Sequence, residues 1–211
     1  MASDIDSTIN KILDKIIMLN NERVRCIIFV TGPGGSGKST FAKQLQSKLN
    51  DCSILKLDDY RLSRDERISS GLFGSNPSAN NIKVIIEHLQ KIRLGEKFDK
   101  PIYNQLTGET DKKEIYQPVK YNLIDGELGL HSDLINHADF IIYLQLSLTK
   151  QLFRRLNRDL FKRKYSLLKS INVFWQSNLQ DFKKYYKSNV SCANIIVKVS
   201  LPNSIKIIKG F

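Results

Sequence analysis

The sequence predicts an α/β chain in which a five-stranded parallel sheet lies between two layers of helices, a three-layer sandwich. Three observations carry that prediction. Short apolar runs alternate with stretches of helical period along the 211 residues, a pattern that favours parallel strands with helices on both faces. The first run, residues 25–31, is apolar enough for a strand buried on both sides. It leads directly into a glycine-rich loop and the start of a helix. No internal repeat or low-complexity linker interrupts the chain, so one domain over residues 1–211 is expected.

In chain order, Ile5, Ile9, Ile12, Ile16 and Leu19 recur at helical spacing in residues 4–20. They mark the N-terminal segment 1–22 as an extra amphipathic helix. Residues 25–31 are the first strand. Residues 38–49 are a helix with Phe41, Leu45 and Leu49 on one side. The second strand, 53–57, delivers Asp58, Asp59 and Tyr60 to its C-terminal end. Residues 61–80 are polar, carry Gly71, Gly74 and Pro77, and read as a long loop. Residues 81–94 are a helix with Ile82, Ile85, Ile86 and Leu89 inward, stopped by Gly95. Residues 98–117 read as irregular. Strands three and four are 121–125 and 139–146. A basic helix, 149–165, and an aromatic-rich helix, 168–186, precede the fifth strand, 193–199.

The loop after the first strand fits G-x-x-x-x-G-K-[ST] on Gly32, Gly37, Lys38 and Ser39. This is the phosphate-binding P-loop. Gly32, Gly34, Gly35 and Gly37 let the backbone curl around Ser36 so that N–H groups point at phosphate oxygens. The helix that begins near Lys38 and runs on through Thr40 adds the positive end of its dipole. Lys38 would reach the β- and γ-phosphates, and the Ser39 hydroxyl would hold Mg²⁺. Gly32, Gly34 and Gly37 also fit the dinucleotide pattern G-x-G-x-x-G, with Asp58 at the distance of a ribose-binding acid. Lys38-Ser39-Thr40 argues against that reading, because a pyrophosphate on a helix N-terminus needs neither a lysine nor a metal-binding hydroxyl.

Hydrophobic content of 41% and charged content of 26% are ordinary for a globular chain. No stretch reaches the length of a membrane span, so no membrane partner is expected. Asp4 and Asp6 stand where a basic, then apolar, leader would begin, so no signal peptide is expected. Cys26, Cys52 and Cys192 lack C-x-x-C spacing and read as thiols of a reducing cytoplasm. Net charge is +12, which suggests an anionic partner. Residues 150–169 hold Lys150, Arg154, Arg155, Arg158, Lys162, Arg163, Lys164 and Lys169 against the single acid Asp159. Such a run is usually a solvated helix face; no nucleic-acid motif accompanies it, and nucleic acid is disfavoured. His88, His131 and His137 lack metal spacing, and Phe174, Trp175, Phe182, Tyr185 and Tyr186 read as a packed helix face. Composition leaves a homo-oligomer open.

In an open parallel sheet, ligands sit at the carboxyl ends of the strands. The P-loop, Asp58 and Asp125 all arrive there, and the basic segment follows strand four. This is a layout for phosphoryl transfer, with lysine, arginine and Mg²⁺ meeting the charge and a carboxylate taking the proton. Asp58 is the candidate base. Asp125 is the candidate acid for Mg²⁺ through its water shell, and Glu127 could share that role. The arginines of the 150–169 segment could close over ATP as a helical lid. Arg154 and Arg158 are i,i+4 neighbours on one face and Arg155 is offset. Lys38, Asp58 and Arg158 are the expected catalytic set.

These motifs, over about residues 26–199, resemble those of the uridine kinase, phosphoribulokinase and nicotinamide riboside kinase group of P-loop kinases. Gly32 to Thr40 is similar to the group's P-loop. Leu57-Asp58-Asp59-Tyr60 resembles its D-D-F-Y-type motif, whose first acid is the base. Pro101-Ile102-Tyr103-Asn104 resembles its P-x-Y-D substrate segment, and Asp125-Gly126-Glu127-Leu128 stands in the place of E-G-I-L. Arg154-Arg155-Leu156-Asn157-Arg158-Asp159, with Lys162-Arg163, resembles the R-R-x-x-R-D lid. The resemblance implies the P-loop NTPase fold with a five-stranded parallel core, ATP and Mg²⁺, and phosphorylation of a small hydroxyl-bearing metabolite. It also implies that Tyr60, Tyr103 and Asn104 join Asp58 around that substrate. The chain departs from the uridine-binding members. Gly74-Ser75-Asn76-Pro77 replaces N-F-D-H-P, Gly108 and Thr110 stand near the expected histidine and arginine, and the lid lacks R-G-R. The expected acceptor is therefore not uridine. A pyrimidine nucleoside kinase, a non-catalytic nucleotide binder and a nucleic-acid binder are the rivals.

Overall fold

The computed structural model describes residues 2–72, 75–162, 164, 166–200 and 204–210. Strands β1 (Cys26–Thr31), β2 (Cys52–Lys56), β5 (Tyr121–Asp125), β6 (Phe140–Gln145), β7 (Ile195–Ser200) and β8 (Ser204–Lys209) form one sheet in the order β2-β5-β1-β6-β7-β8. The first five are mutually parallel, as expected. A sixth, β8, pairs antiparallel with β7. It escaped the sequence reading because it is a short edge strand in which only Ile205 and Ile207 turn to the core.

β1 is buried along its whole length, and its residues alternate between the two faces. Ile28 and Val30 pack with Ile9, Ile12 and Ile16 of α1 (Ala2–Leu19) and Phe41 and Leu45 of α2 (Lys38–Gln46). Ile27 and Phe29 pack with Ile85, Leu89 and Ile92 of α4 (Ile82–Leu94) on the other face. The period of two along the strand thus feeds two helical layers. At α4 the start and stop follow the sequence signals. The Asn81 side chain accepts from Val84 N, and Gly95 closes the helix at φ 82°.

Two stretches differ from the sequence reading. Residues 61–80 contain α3 (Arg64–Ser69), begun by a reciprocal cap between Ser63 and Glu66. The Ser63-x-x-Glu66 pattern was the available signal. Residues 98–117 contain the hairpin β3 (Phe98–Ile102) and β4 (Lys112–Tyr116). Pro101 and the exposed Lys112, Lys113 and Glu114 hid its strand character. The basic helix is α6 (Leu148–Asn157), continued by a π-turn at Arg158–Lys162. The next helical stretch is α7 (Leu167–Phe174), a π-turn at Trp175–Asp181 and the short α8 (Phe182–Tyr185). Among the described residues no helix is long and apolar enough to cross a membrane.

Candidate active site

Register fixes where the chemistry gathers. Val30 and Lys56 both stand opposite Asp125 in the ladder, so β1, β5 and β2 end level with one another. The P-loop leaves β1, the 3-10 turn Leu57–Tyr60 leaves β2, and Asp125 closes β5. These ends open into a cleft of about 1220 Å³.

The P-loop requires its glycines for two different reasons. A Cβ on Gly32 would lie 2.5 Å from Leu144 O, so only glycine lets the loop pass β6. Gly37 caps α2 at φ 94°, in the left-handed region, and turns the chain so that the helix starts at Lys38. Gly34, Gly35, Ser36, Gly37, Lys38, Ser39 and Thr40 line the cleft. Lys38 Nζ folds back to donate to Pro33 O at 3.1 Å.

Asp125 is buried, with Ser39 and Lys38 beside its carboxylate. Its Oδ1 has no hydrogen-bond partner among the described residues. Burial holds this carboxyl above its ordinary range, against the pull of Lys38 and Ser39. Two residues on, burial likewise raises Glu127, against Lys38 and Arg155. Asp58 stands at the mouth, with its side chain 57% exposed, and pairs with Arg61 at 2.7 Å. Asp59 instead turns inward: Tyr103 N donates to it at 3.4 Å and Lys100 Nζ lies 3.6 Å away.

The basic segment divides its arginines. Arg154 and Arg158 line the cleft, and Arg154 Nη1 donates to Gly35 O at 3.4 Å. Arg158 Nε donates to Asp159 at 3.2 Å. Arg155 also borders the cleft but is buried against the P-loop, held between Asp159 and Asn178. Arg163 lies outside the described residues, as does Gly74 of the Gly74-Ser75-Asn76-Pro77 stretch.

Two residues expected at the substrate are elsewhere. Tyr60 is buried and its hydroxyl pairs with His88 Nδ1 at 2.8 Å, in the core beneath α4. Asn104 caps its own turn, accepting from Leu106 N at 2.9 Å and Thr107 N at 3.4 Å. Neither lines the cleft; Tyr103 does. The reason is periodicity: Tyr60 follows Asp58 by two on a tight 3-10 turn, and Asn104 begins the loop out of β3.

Sequence reasoning missed Asn178 and Gln151. Asn178 Nδ2 donates to Gly34 O at 3.0 Å and to Gln151 Oε1 at 2.9 Å. Gln151 Nε2 donates to Leu146 O at 2.6 Å. These buried amides tie α6 and the π-turn after α7 to the P-loop, and no motif flags them. Arg61, Arg64 and Arg67 were also missed. They line the cleft, and Arg61 pairs with Asp58 at its mouth. The cleft as a whole is lined by nine lysines and arginines and three acids, Asp58, Asp125 and Glu127, an environment suited to anionic ligands.

The model of the phosphoribulokinase / uridine kinase family matches residues 27–206. The phosphoribulokinase of Synechocystis sp. is 31% identical over 180 residues, which cover 82% of this chain and 53% of that protein. The uridine kinase of Clostridium tetani is 27% identical over 190 residues, covering 86% of this chain and 90% of that protein. The structure of a D-glycerate 3-kinase from Cryptococcus neoformans superposes with a TM-score of 0.67 at 12% identity, over 98% of either chain. This chain spans about half the length of the phosphoribulokinases it matches. With the family model matched over most of its length, the chain belongs to the phosphoribulokinase / uridine kinase family.

Proposed function

We propose that this chain is an ATP-dependent kinase that transfers the γ-phosphate to a hydroxyl of a small metabolite other than uridine. The observation that carries this reading is the P-loop lysine, Lys38, in one cleft with a solvent-facing carboxylate, Asp58. The acceptor oxygen attacks the γ-phosphorus, its proton passes to Asp58, and the bond to the β-phosphate oxygen breaks to leave ADP. Lys38, Arg154 and Arg158 meet the phosphate charge. Asp125 and Ser39 fit Mg²⁺ held through water: Asp125 Oδ1 is buried and has no donor among the described residues, and Ser39 lies beside the same carboxylate. Bound there, Mg²⁺ would neutralise charge on the β- and γ-phosphates.

The acceptor half supports a substrate other than uridine. Ser75 is committed to Glu127, with its Oγ donating at 3.0 Å. Gly108 sits at φ 85°, and the Arg64 side chain fills the place where its Cβ would be. A site without groups matched to a nucleobase and ribose discriminates poorly for them. The test is ATP consumption against nucleosides, sugars, sugar phosphates, polyols and hydroxy acids, with the Lys38→Ala variant as control. Turnover that persists in folded Lys38→Ala protein would sink the kinase reading. Highest kcat/KM with uridine or cytidine would overturn the acceptor reading alone.

A further inference from the structure

The helices that cover the P-loop carry polar side chains inward and large apolar ones outward. α6 and the π-turn after it bury Gln151, Arg155 and Asp159, and α7 with its π-turn buries Ser170, Ser177 and Asn178 beside Phe174. Phe153, Phe161, Leu168, Ile171 and Trp175 face solvent instead, with exposures that run from 44% at Ile171 to 81% at Leu168. Phe153 stands two positions from both Gln151 and Arg155, about half a helical turn, so it points away from the P-loop. Ile171 stands two positions from Lys169 and Val173, and Trp175 two from Val173 and Ser177, all of which line the cleft. α6 and α7 pack against one another. The apolar side chains therefore gather on one outer face, on the side of the helices away from the cleft.

Apolar side chains scattered singly over a surface are ordinary, whereas several large ones on one outer face mark a contact. The charge around them selects the partner. Residues 148–187 hold eleven lysines and arginines against two acids, and one of those acids, Asp159, is buried beside Arg155. Arg154, Arg155 and Arg158 are taken up at the cleft. Lys164 is exposed between Phe161 and Leu168 in the chain, and Lys183 and Lys184 are exposed in α8, where the helix of Trp175 ends. The outer face is thus cationic at its flanks, and a second copy set against it would bring like charge. Outward phenylalanine, leucine and tryptophan flanked by lysine are the make-up of helices that lie in the headgroup layer of an anionic bilayer. We propose that the outer face of α6 and α7 binds the surface of an anionic bilayer, with the apolar side chains entering the headgroup layer and the lysines meeting its negative charge. Such a contact needs no spanning helix, leaves the cleft open, and stands independently of the kinase reading.

Trp175 is the single tryptophan of the chain, so the fluorescence of the intact protein reports on this face directly. Vesicles of phosphatidylcholine with about 30% phosphatidylserine should move its emission to shorter wavelength, and bromine on the lipid acyl chains should quench it. Vesicles of phosphatidylcholine alone should bind at least about tenfold more weakly, since the lysines then meet no net negative charge. Phe161→Ser combined with Leu168→Ser should leave thermal unfolding unchanged and weaken partitioning at least about tenfold, the scale for returning a large apolar side chain to water. Lys183→Gln combined with Lys184→Gln should also lose about tenfold, and serves if the first pair does not fold. Vesicle binding with no change in Trp175 emission is adsorption of a basic protein by charge alone, and it overturns the proposal. Equal partitioning of the variants and wild type overturns it as well, as does a failure to bind. An emission shift with poly-glutamate and none with vesicles gives the face to an acidic protein, and a shift that follows protein concentration without lipid gives it to a second copy; either result overturns the proposal.

Discussion

Replacing Asn178 by alanine should loosen the P-loop from the helices that cover it. Asn178 is buried, and three polar groups meet on its amide: Gly34 O at 3.0 Å, Gln151 Oε1 at 2.9 Å and the Arg155 guanidinium. Alanine leaves all three facing a void. Two neutral hydrogen bonds at about 1 kcal/mol each and one charge-assisted bond at about 1.5–3 kcal/mol put the upper cost near 5 kcal/mol. Arg155 keeps Asp159 at 3.5 Å, and a water could enter the polar gap, so the expected loss is about 2–4 kcal/mol. For a chain of this size each kcal/mol moves Tm by about 2–4 °C, which gives a drop of about 5–15 °C. Thermal unfolding followed by circular dichroism, without nucleotide, reads this directly. ATP KM should rise by about tenfold as Gly34 loses its tether, since binding then has to order the loop. A Tm within about 2 °C of wild type would refute the reasoning, because no buried network of this kind can be lost so cheaply.

Further outcomes follow from the same geometry. Asp58→Asn should lower kcat by at least about 10²-fold with ATP binding little changed, whereas Asp59→Asn should chiefly reduce stability, since Asp59 faces Lys100 and Tyr103 N; steady-state kinetics beside thermal unfolding separates them, and a larger kcat loss for Asp59→Asn would reverse the assignment. Burial raises the Asp125 carboxyl above its ordinary value of 3.8, so the contribution of this group to stability is full below that value and is lost as pH rises through the raised one. Asp125→Asn should therefore melt above wild type at pH 7, with the gap closing on acidification, and an equal gap at every pH would contradict this. Proteolysis between Lys150 and Lys169 should slow when ATP is added and should spare the buried Arg155, cutting from Arg158 onward; equal cleavage with and without nucleotide would count against a lid.

The sequence alone determined the elements whose signals are local and periodic. The apolar run before Gly32, the glycines with Lys38 and Ser39, and the acids Asp58 and Asp125 that close strands all carry their meaning in a few adjacent residues. So does the helical repeat of Ile9, Ile12 and Ile16. The strand alternation was enough for the sandwich, because a sheet buried on both faces writes its pattern into every strand. What the sequence left open was decided by residues far apart in the chain. Whether Tyr60 faces substrate or core depends on His88, 28 positions away, which captures its hydroxyl. Asn178 meets Gly34 across 144 positions, so no window of sequence contains the pair. Glu127 meets Ser75 across 52 positions, with Gly126 packed against Leu57 at the end of β2. The antiparallel strand β8 and the hairpin of β3 and β4 are half-exposed, and partners rather than composition hold them in place. Hydrogen bonds and close contacts of this length are set by packing. Short-range propensity does not encode them, and tertiary structure settles which side chains share the cleft.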